Sequence, residues 1–296
     1  MPRGRLDPIL VTGLAVLAVA TVLAILAPWI SPTDPLVQHD VLQTRFLPPL
    51  TRGPDGVMHW LGTDSFGRDM LARLLYGARI SLAVGFLAVG LSLGIGVGVG
   101  AAAAVVGGAT ERTLMGLTDA ALALPRLVLL LALVALFEPG LWLVIIVLGV
   151  TGWMPVARLA RAEIRAVLAR PYVMAARATG VGRAHLLLRH VLPNAAAPLL
   201  VAAALAVGNA ITLESGLAFL GLGVPPPAPS WGNMIAGGRE ALVNAPWVSI
   251  IPGLAIIAVV VATNLVSDGI RDVIDPATAR ATPGSSRSPA VQHRTE

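Results

Sequence analysis

Neither cysteine nor lysine occurs among the 296 residues, and charged side chains make up only 12% of the chain. Without cysteine there is no disulfide scaffold. Without lysine there is no Walker A loop, whose lysine must reach the β/γ-phosphates of a nucleotide, and no lysine Schiff base. The 21 Lys-plus-Arg residues are all arginine. Charge at half the roughly 25% typical of soluble chains cannot cover a soluble surface of this size, whereas a bilayer can. Catalytic signatures are missing as well. There is no His-Glu-x-x-His, and the five histidines (39, 59, 185, 190 and 293) all lie outside the apolar runs. Ser215 sits in Glu-Ser-Gly with no histidine base in a span. No catalytic residue and no metal ligand is therefore expected.

Apolar sequence is abundant: 56% of residues are hydrophobic and the mean hydropathy is +0.80. That excludes a disordered chain, which needs low hydrophobicity and high charge. A spanning helix needs about 20 mostly apolar residues. Six stretches qualify: Ile9 to Ile30, Ile80 to Val106, Leu114 to Phe137 (interrupted by Asp119 and Arg126), Leu141 to Ala157, Ala195 to Leu213, and Val248 to Val266. The first follows Arg3 and Arg5, but it is too long for the 7–15-residue core of a signal peptide and reads as an uncleaved anchor.

Arginine placement sets the orientation, because cytoplasmic loops carry the basic excess. Residues 158–189 hold seven Arg and one Glu, a net +6 against +5 for the whole chain. With this segment cytoplasmic and six spans, both termini are cytoplasmic and the segments 31–79 and 214–248 lie outside. A basic cluster so placed is topological, so the pI near 11.1 does not point to nucleic acid. One rival reading of the chain is a membrane-anchored scaffold whose Arg-rich loop binds anionic lipid, which predicts no transport.

Three regions carry candidate residues. Before the second span, Thr63, Asp64 and Ser65 are potential N-caps. Met70, Leu71, Leu74 and Leu75 then share a helical face, with Asp69 and Arg73 as an i,i+4 pair. This predicts a short amphipathic interfacial helix. In the basic segment, Met154 to Thr179 reads as helix, with Pro171 as a kink or break. Gly180 and Gly182 supply a turn, Arg183 to His190 a second helix, and Pro193 its end before Asn194 leads into the fifth span. The hairpin's leucines 186, 187 and 188 either present a docking surface rimmed by basic groups or pack back on the bundle. Within the spans, Asp119 and Arg126 are seven apart and share one helical face, with Arg126 ~10 Å deeper. They form either an ion-coupling pair or a salt bridge. Asn209, Thr212 and Asn264 are candidates for interhelical hydrogen bonds or a polar pathway. Glycines 85, 90, 94, 96, 98 and 100 suit close helix packing, either inside the subunit or against another.

The stretch Met174-Ala175-Ala176-Arg177-Ala178-Thr179-Gly180, with Leu192-Pro193 after it, resembles the EAA…G…I-LP loop of ABC importer permeases. Met174 departs from it, since the family usually has Glu there. Gly62-Thr63-Asp64, Gly67-Arg68-Asp69 and Arg79-Ile80-Ser81-Leu82 resemble the N-terminal signature of the dipeptide/oligopeptide/nickel permease subfamily, in its "C" subunit. Glu214-Ser215-Gly216, Ser230-Trp231-Gly232, and the segment from Asp268 to Pro276 resemble later parts of the same subunit. Together they cover most of residues 59–276.

The resemblance implies an all-α membrane protein with the type I ABC importer transmembrane fold. Residues 1–79 would form an anchor and external segment, 80–268 the transmembrane domain, and 269–296 a cytoplasmic tail. It implies a coupling hairpin that engages ATPase subunits through Ala175, Ala176, Gly180, Gly182, Arg183, His185, Leu186, Leu187 and Pro193. It implies external docking or gating by Gly62, Asp64, Gly67, Arg68, Asp69, Arg79, Glu214, Ser215, Gly216 and Trp231. The expected partners are a second permease subunit in a heterodimer, two ATP-binding subunits that carry ATP and Mg, and an extracytoplasmic solute-binding protein. The expected place is the bacterial inner membrane. Peptides are the expected cargo, with nickel or another small solute as the alternative. No residue of this chain is expected to read a peptide terminus. The rival from another class is an ion-coupled secondary transporter built on Asp119 and Arg126.

Overall fold

The computed structural model describes residues 7–274, apart from 32, 39 and 55. Arg3, Arg5, His39, His293 and the tail from Asp275 lie outside the described residues. The chain is built of helices joined by short loops. In order, they are α1 (Pro8–Ile25), α2 (Ala27–Ile30), α3 (Val41–Thr44), α4 (Met70–Val106), α5 (Gly108–Leu122), α6 (Arg126–Ala135), α7 (Leu141–Leu168), α8 (Pro171–Ala178), α9 (Arg183–Leu186), α10 (Leu192–Phe219), α11 (Trp231–Gly238) and α12 (Trp247–Ile274). A two-stranded antiparallel ribbon, β1 (Thr51–Arg52) with β2 (Met58–His59), decorates the segment before α4. Five helical runs are long and apolar enough to cross a membrane, and α5 with α6, bent by 84° between them, meets the same criterion only as a pair.

At 1.5 Å per residue, the 37 residues of α4 extend about 55 Å, well beyond a hydrocarbon core of about 30 Å. The expected interfacial helix is therefore the first turns of the second span, continuous with it. Nor do Thr63, Asp64 and Ser65 cap it. Asp69 does, accepting the Ala72 amide at 2.8 Å. That duty takes Asp69 away from the expected ion pair with Arg73, which instead approaches Asp64 at 3.4 Å.

The third span is not the straight helix that hydropathy suggests. Helix α5 ends at Leu122 and α6 begins at Arg126, because Pro125 lacks an amide and disfavours helical geometry in the residue before it. The fifth span differs in the opposite sense: Pro193 does not end a helix. The chain runs helically from Arg183 into α10 through one wide turn at Leu187–Val191, where the Leu192 amide reaches back to Leu187 O. A wide turn accommodates the proline ring without breaking the rod. In the basic segment, α7 passes through Pro155 to Leu168, and Pro171 opens α8 as its first residue, a position where its missing amide costs nothing.

Lipid offers no hydrophobic drive between helices, so close approach of backbones holds the bundle. Gly96 faces Val156, and Gly100 faces Ala157 and Ala160. A Cβ on either glycine would lie about 2.6 Å from those neighbours. Contacts of α4 with α7 advance together along both helices, so the two run parallel. Ser267 on α12 donates to Val201 O on α10, and Gly208 on α10 meets Thr263 on α12, so that pair is antiparallel. Leu10 of α1 touches Gly269 of α12, which places the first and last described turns at one end. The arginine-rich end of α7 lies at that same end. Among the described residues, glycines 90, 94 and 98 have nothing within 4 Å of a would-be Cβ, so this stripe of α4 meets no neighbour there.

Candidate functional site

At the basic end, the hairpin of α8, α9 and the wide turn stands on a small apolar core. Ile164, Val167, Val173, Leu186 and Val191 are buried together with Ala101 and Ala104 of α4. Gly180 turns the chain between α8 and α9 with φ +86°, a conformation that a Cβ would strain. The leucine question is thereby resolved residue by residue. Leu186 is 5% exposed and belongs to the core, Leu187 packs at its edge, and Leu188 is 66% exposed. Of the other expected residues, Ala176 packs at the edge, while Ala175, Gly180, Gly182, His185 and Pro193 are exposed. Arg183 opens α9. Tyr172 and Met174 add exposed apolar surface beside them.

Behind the hairpin, Glu111 is buried at the start of α5 and pairs with both Arg161 and Arg165 of α7. The two arginines are one helical turn apart and so share a face. This clamp was not foreseen. Its signal is a lone acidic residue opposite a basic run.

At the opposite end most of the motif residues are buried, while Arg79 and Gly216 are exposed. Asp64 holds Arg68 at 2.7 Å and accepts the amides of Phe66 and Arg68. His59 Nδ1 lies 2.8 Å from Asp69. Gly62 and Gly67 turn with positive φ against Leu47 and Thr44. Arg79 donates to Ala24 O at 2.7 Å and Ile25 O at 3.0 Å, which satisfies the last carbonyls of α1. Trp231 donates from its indole to Leu74 O and from its backbone to Ser81 Oγ. Glu214 is wholly buried, accepts from Ser230 Oγ at 2.8 Å, and lies under Gly232. Ser215 bonds back to Ile211 O, and Gly216 has open space around it. Most residues expected to dock or gate thus build the frame of this end. Beside them opens a groove of about 380 Å³, lined by Arg45, Phe66, Arg73, Glu240 and Asn244 among others. The Ser230–Asn233 capping box is a part of this frame that sequence reasoning passed over, and Arg73 takes Asp64 in place of its expected partner Asp69. The Ser-x-x-Asn spacing was the available signal for the box.

Mid-bundle, Asp119 and Arg126 do not share a helical face, because the break at Pro125 separates them. Asp119 approaches Arg158 at 3.6 Å, both well exposed. Arg126 reaches across to Leu148 O of α7, ten residues or about 15 Å along that helix from Arg158. Asp119 and Arg126 therefore form neither an ion-coupling pair nor a salt bridge with each other, and the interhelical salt bridge in this region is the one between Asp119 and Arg158. Asn209 joins Arg126 and Ser92 around a cavity of about 270 Å³ between α4, α7 and α10. Thr212 bonds within its own helix, and Asn264 is an exposed residue of α12 that does not line this cavity.

Residues 94–280 match the family described as the inner membrane component of binding-protein-dependent transport systems. The chain belongs to this family. It is a multi-pass inner-membrane permease of the ABC importer type, a family of permeases and not of enzymes. Residues 5–49 also match the N-terminal transmembrane domain of oligopeptide transport permease C. A di/tripeptide transport system permease protein, DppC, of Pseudomonas aeruginosa is 41% identical over 89% of this chain and 86% of its own. A Brucella suis protein provisionally named a peptide permease is 44% identical over 74% of this chain and 73% of its own. Among solved structures, the MetNI methionine ABC transporter in an inward-facing conformation superposes with a TM-score of 0.57. That match has 20% identity over 69% of this chain and 97% of the other. An amino acid ABC transporter gives 0.52 at 17% identity, over 67% and 93%. The permease therefore shares the type I importer fold with both.

Proposed function

We propose that this permease forms one half of a peptide translocation pathway and is driven by ATP hydrolysed on two separate subunits that hold ATP and Mg. A second, different permease subunit completes the pathway. A solute-binding protein delivers cargo at the end formed by residues 31–79 and 214–248. The basic end then faces the cytoplasm, in keeping with the arginine excess there. The names of the relatives support peptides as cargo, and the absence of any lysine supports hydrolysis elsewhere. One observation carries the coupling role: a hairpin anchored by buried Leu186 yet presenting Tyr172, Met174, His185 and Leu188 outward. A rigid element with an exposed apolar face transmits movement of a docked subunit to the helices that continue it, here α7 and α10.

The test exploits the lack of native cysteine. Single substitutions Met174→Cys, His185→Cys and Leu188→Cys are made in the complex with its ATPase subunits, with Val243→Cys at the opposite end as control. A reagent with one thiol-reactive end and one photoreactive end, attached to each cysteine and then illuminated, should join the first three to an ATPase subunit, with a yield that changes when nucleotide binds, and should leave Val243→Cys unjoined. Cross-linking that is absent, or equal at all four positions, refutes the coupling role.

A further inference from the structure

Arg126 has no use in the coupling scheme. Its position is costly, since a charged side chain inside the hydrocarbon region must leave water behind. Among the described residues no carboxylate pairs with it. Asp119 approaches Arg158 instead, and Glu111 is occupied by Arg161 and Arg165. Of the five N–H donors of the guanidinium, one Nη2–H meets Leu148 O at 3.3 Å, and the Nε–H is buried without an acceptor.

The surroundings hold the side chain in this place. A Cβ at Gly152 of α7 would lie 3.2 Å from Arg126 Nη2 and 2.3 Å from Ser92 Oγ, so the glycine leaves the room that both side chains use. Ser92 is itself tied to Gly149 O at 2.9 Å. The cavity beside them, about 270 Å³, is otherwise lined largely by aliphatic side chains and Pro155, with Asn209 as its other polar group. It is smaller than the roughly 300–1,000 Å³ of a drug-sized ligand site and fits one end of an extended molecule. An unpaired guanidinium in an apolar groove selects an anion, and the planar fork matches a carboxylate.

We propose that Arg126, assisted by the Asn209 side-chain amide, contacts the C-terminal carboxylate of the peptide as it passes through the membrane. This rests on the peptide-permease reading above. It assigns to this chain a part in substrate recognition that the sequence alone did not suggest. The contact is transient by construction. Only one charge and one side-chain amide hold the carboxylate, so it can leave when the helices rock.

The test uses the assembled transporter with its binding protein in proteoliposomes, and measures ATP-dependent uptake of tri-alanine and of tri-alanine C-terminal amide. In the wild type the acid is favoured. Arg126→Gln should lower acid uptake roughly 10–100-fold, the value of one charge-assisted hydrogen bond, while leaving amide uptake within about twofold. Arg126→Lys should retain part of the preference. Asn209→Ala, an exposed position, should reduce the preference by less and covers the case in which Arg126→Gln fails to assemble. A further arm does not depend on delivery of the amide. In Arg126→Cys, a cationic ethylammonium thiosulfonate should restore tri-alanine uptake, and an anionic sulfonatoethyl reagent should not. Equal losses for acid and amide, or equal responses to the two reagents, would assign Arg126 to structure or to a carboxylate of the partner permease and overturn the proposal. A wild-type transporter that imports neither peptide with ATP overturns the peptide-permease reading itself, and this inference with it.

Discussion

The two ends of the bundle use their motif residues in opposite ways. At the basic end, the recognisable residues Ala175, Gly180 and His185 are exposed, and Leu186 is the buried pin beneath them. At the other end, Asp64, Arg68, Asp69, Glu214 and Trp231 are buried, with hydrogen bonds between Asp64 and Arg68, from the Ala72 amide to Asp69, from the Ser230 hydroxyl to Glu214, and from the Trp231 indole to Leu74 O. A residue pattern that looks functional in sequence can therefore be a contact surface in one place and internal carpentry in another. Burial separates the two, because a buried carboxylate or guanidinium must be satisfied inside the protein and is not free to greet a partner.

The largest effect expected from this contrast lies in the buried frame. Asp64→Ala leaves Arg68 and Arg73 without their carboxylate, and breaking a buried pair from one side costs about 3–5 kcal/mol. Thermal unfolding of the purified permease in detergent should show it. An unchanged midpoint would mean that this end is not held by its ion pairs. Next comes the pin of the hairpin. Leu186→Ala removes a buried leucine and should cost roughly 2–5 kcal/mol, whereas Leu188→Ala should stay within about 0.5 kcal/mol. Unfolding of the two variants side by side sharpens the comparison, and equal effects would break it.

A smaller difference is expected on α4. Gly96→Val forces atoms against Val156 and should cost about 1–3 kcal/mol, while Gly94→Ala meets open space and should leave the isolated chain unaffected. Loss of stability in Gly94→Ala would show that the outward stripe is covered within the chain after all. The smallest effect on stability belongs to Met174→Glu, an exposed change that restores the residue usual in the family. Its expected readout is altered stimulation of ATP hydrolysis by the loaded binding protein, with no shift in unfolding temperature. A stability change there would place Met174 in the core rather than on the docking face.

Much of the fold was legible from hydropathy and arginine placement, because a membrane demands long apolar runs and those runs are conspicuous. Legibility failed where one proline had to be weighed against its neighbours. Pro125 breaks a span and Pro193 does not, although both sit beside strongly apolar sequence. A proline removes one donor and crowds one carbonyl in either case. The local chain breaks where the next segment can turn to pack on α7, as α6 does through Leu130 and Val134, and widens by one residue where the rod must continue into α10. Asp69 was legible as a charged residue next to a helix but not as its cap, since its competing partners, His59 and the Ala72 amide, are a matter of position in space.

By itself the sequence determined the class of solvent, the positions of the long apolar helices, the separation of the basic end from the other and the lack of a nucleotide loop. These depend on composition summed along the chain and are insensitive to detail. Only the tertiary structure decided which charges have partners. Asp119 found Arg158, Glu111 found two arginines, Asp64 found Arg68 and Arg73, and Arg126 was left over a glycine of α7 with a groove before it. The physical reason is that, apart from the local pair Asp64 and Arg68, these contacts form over a few ångströms between residues farther apart in the chain. Helix crossings set those distances, and no local pattern encodes a crossing.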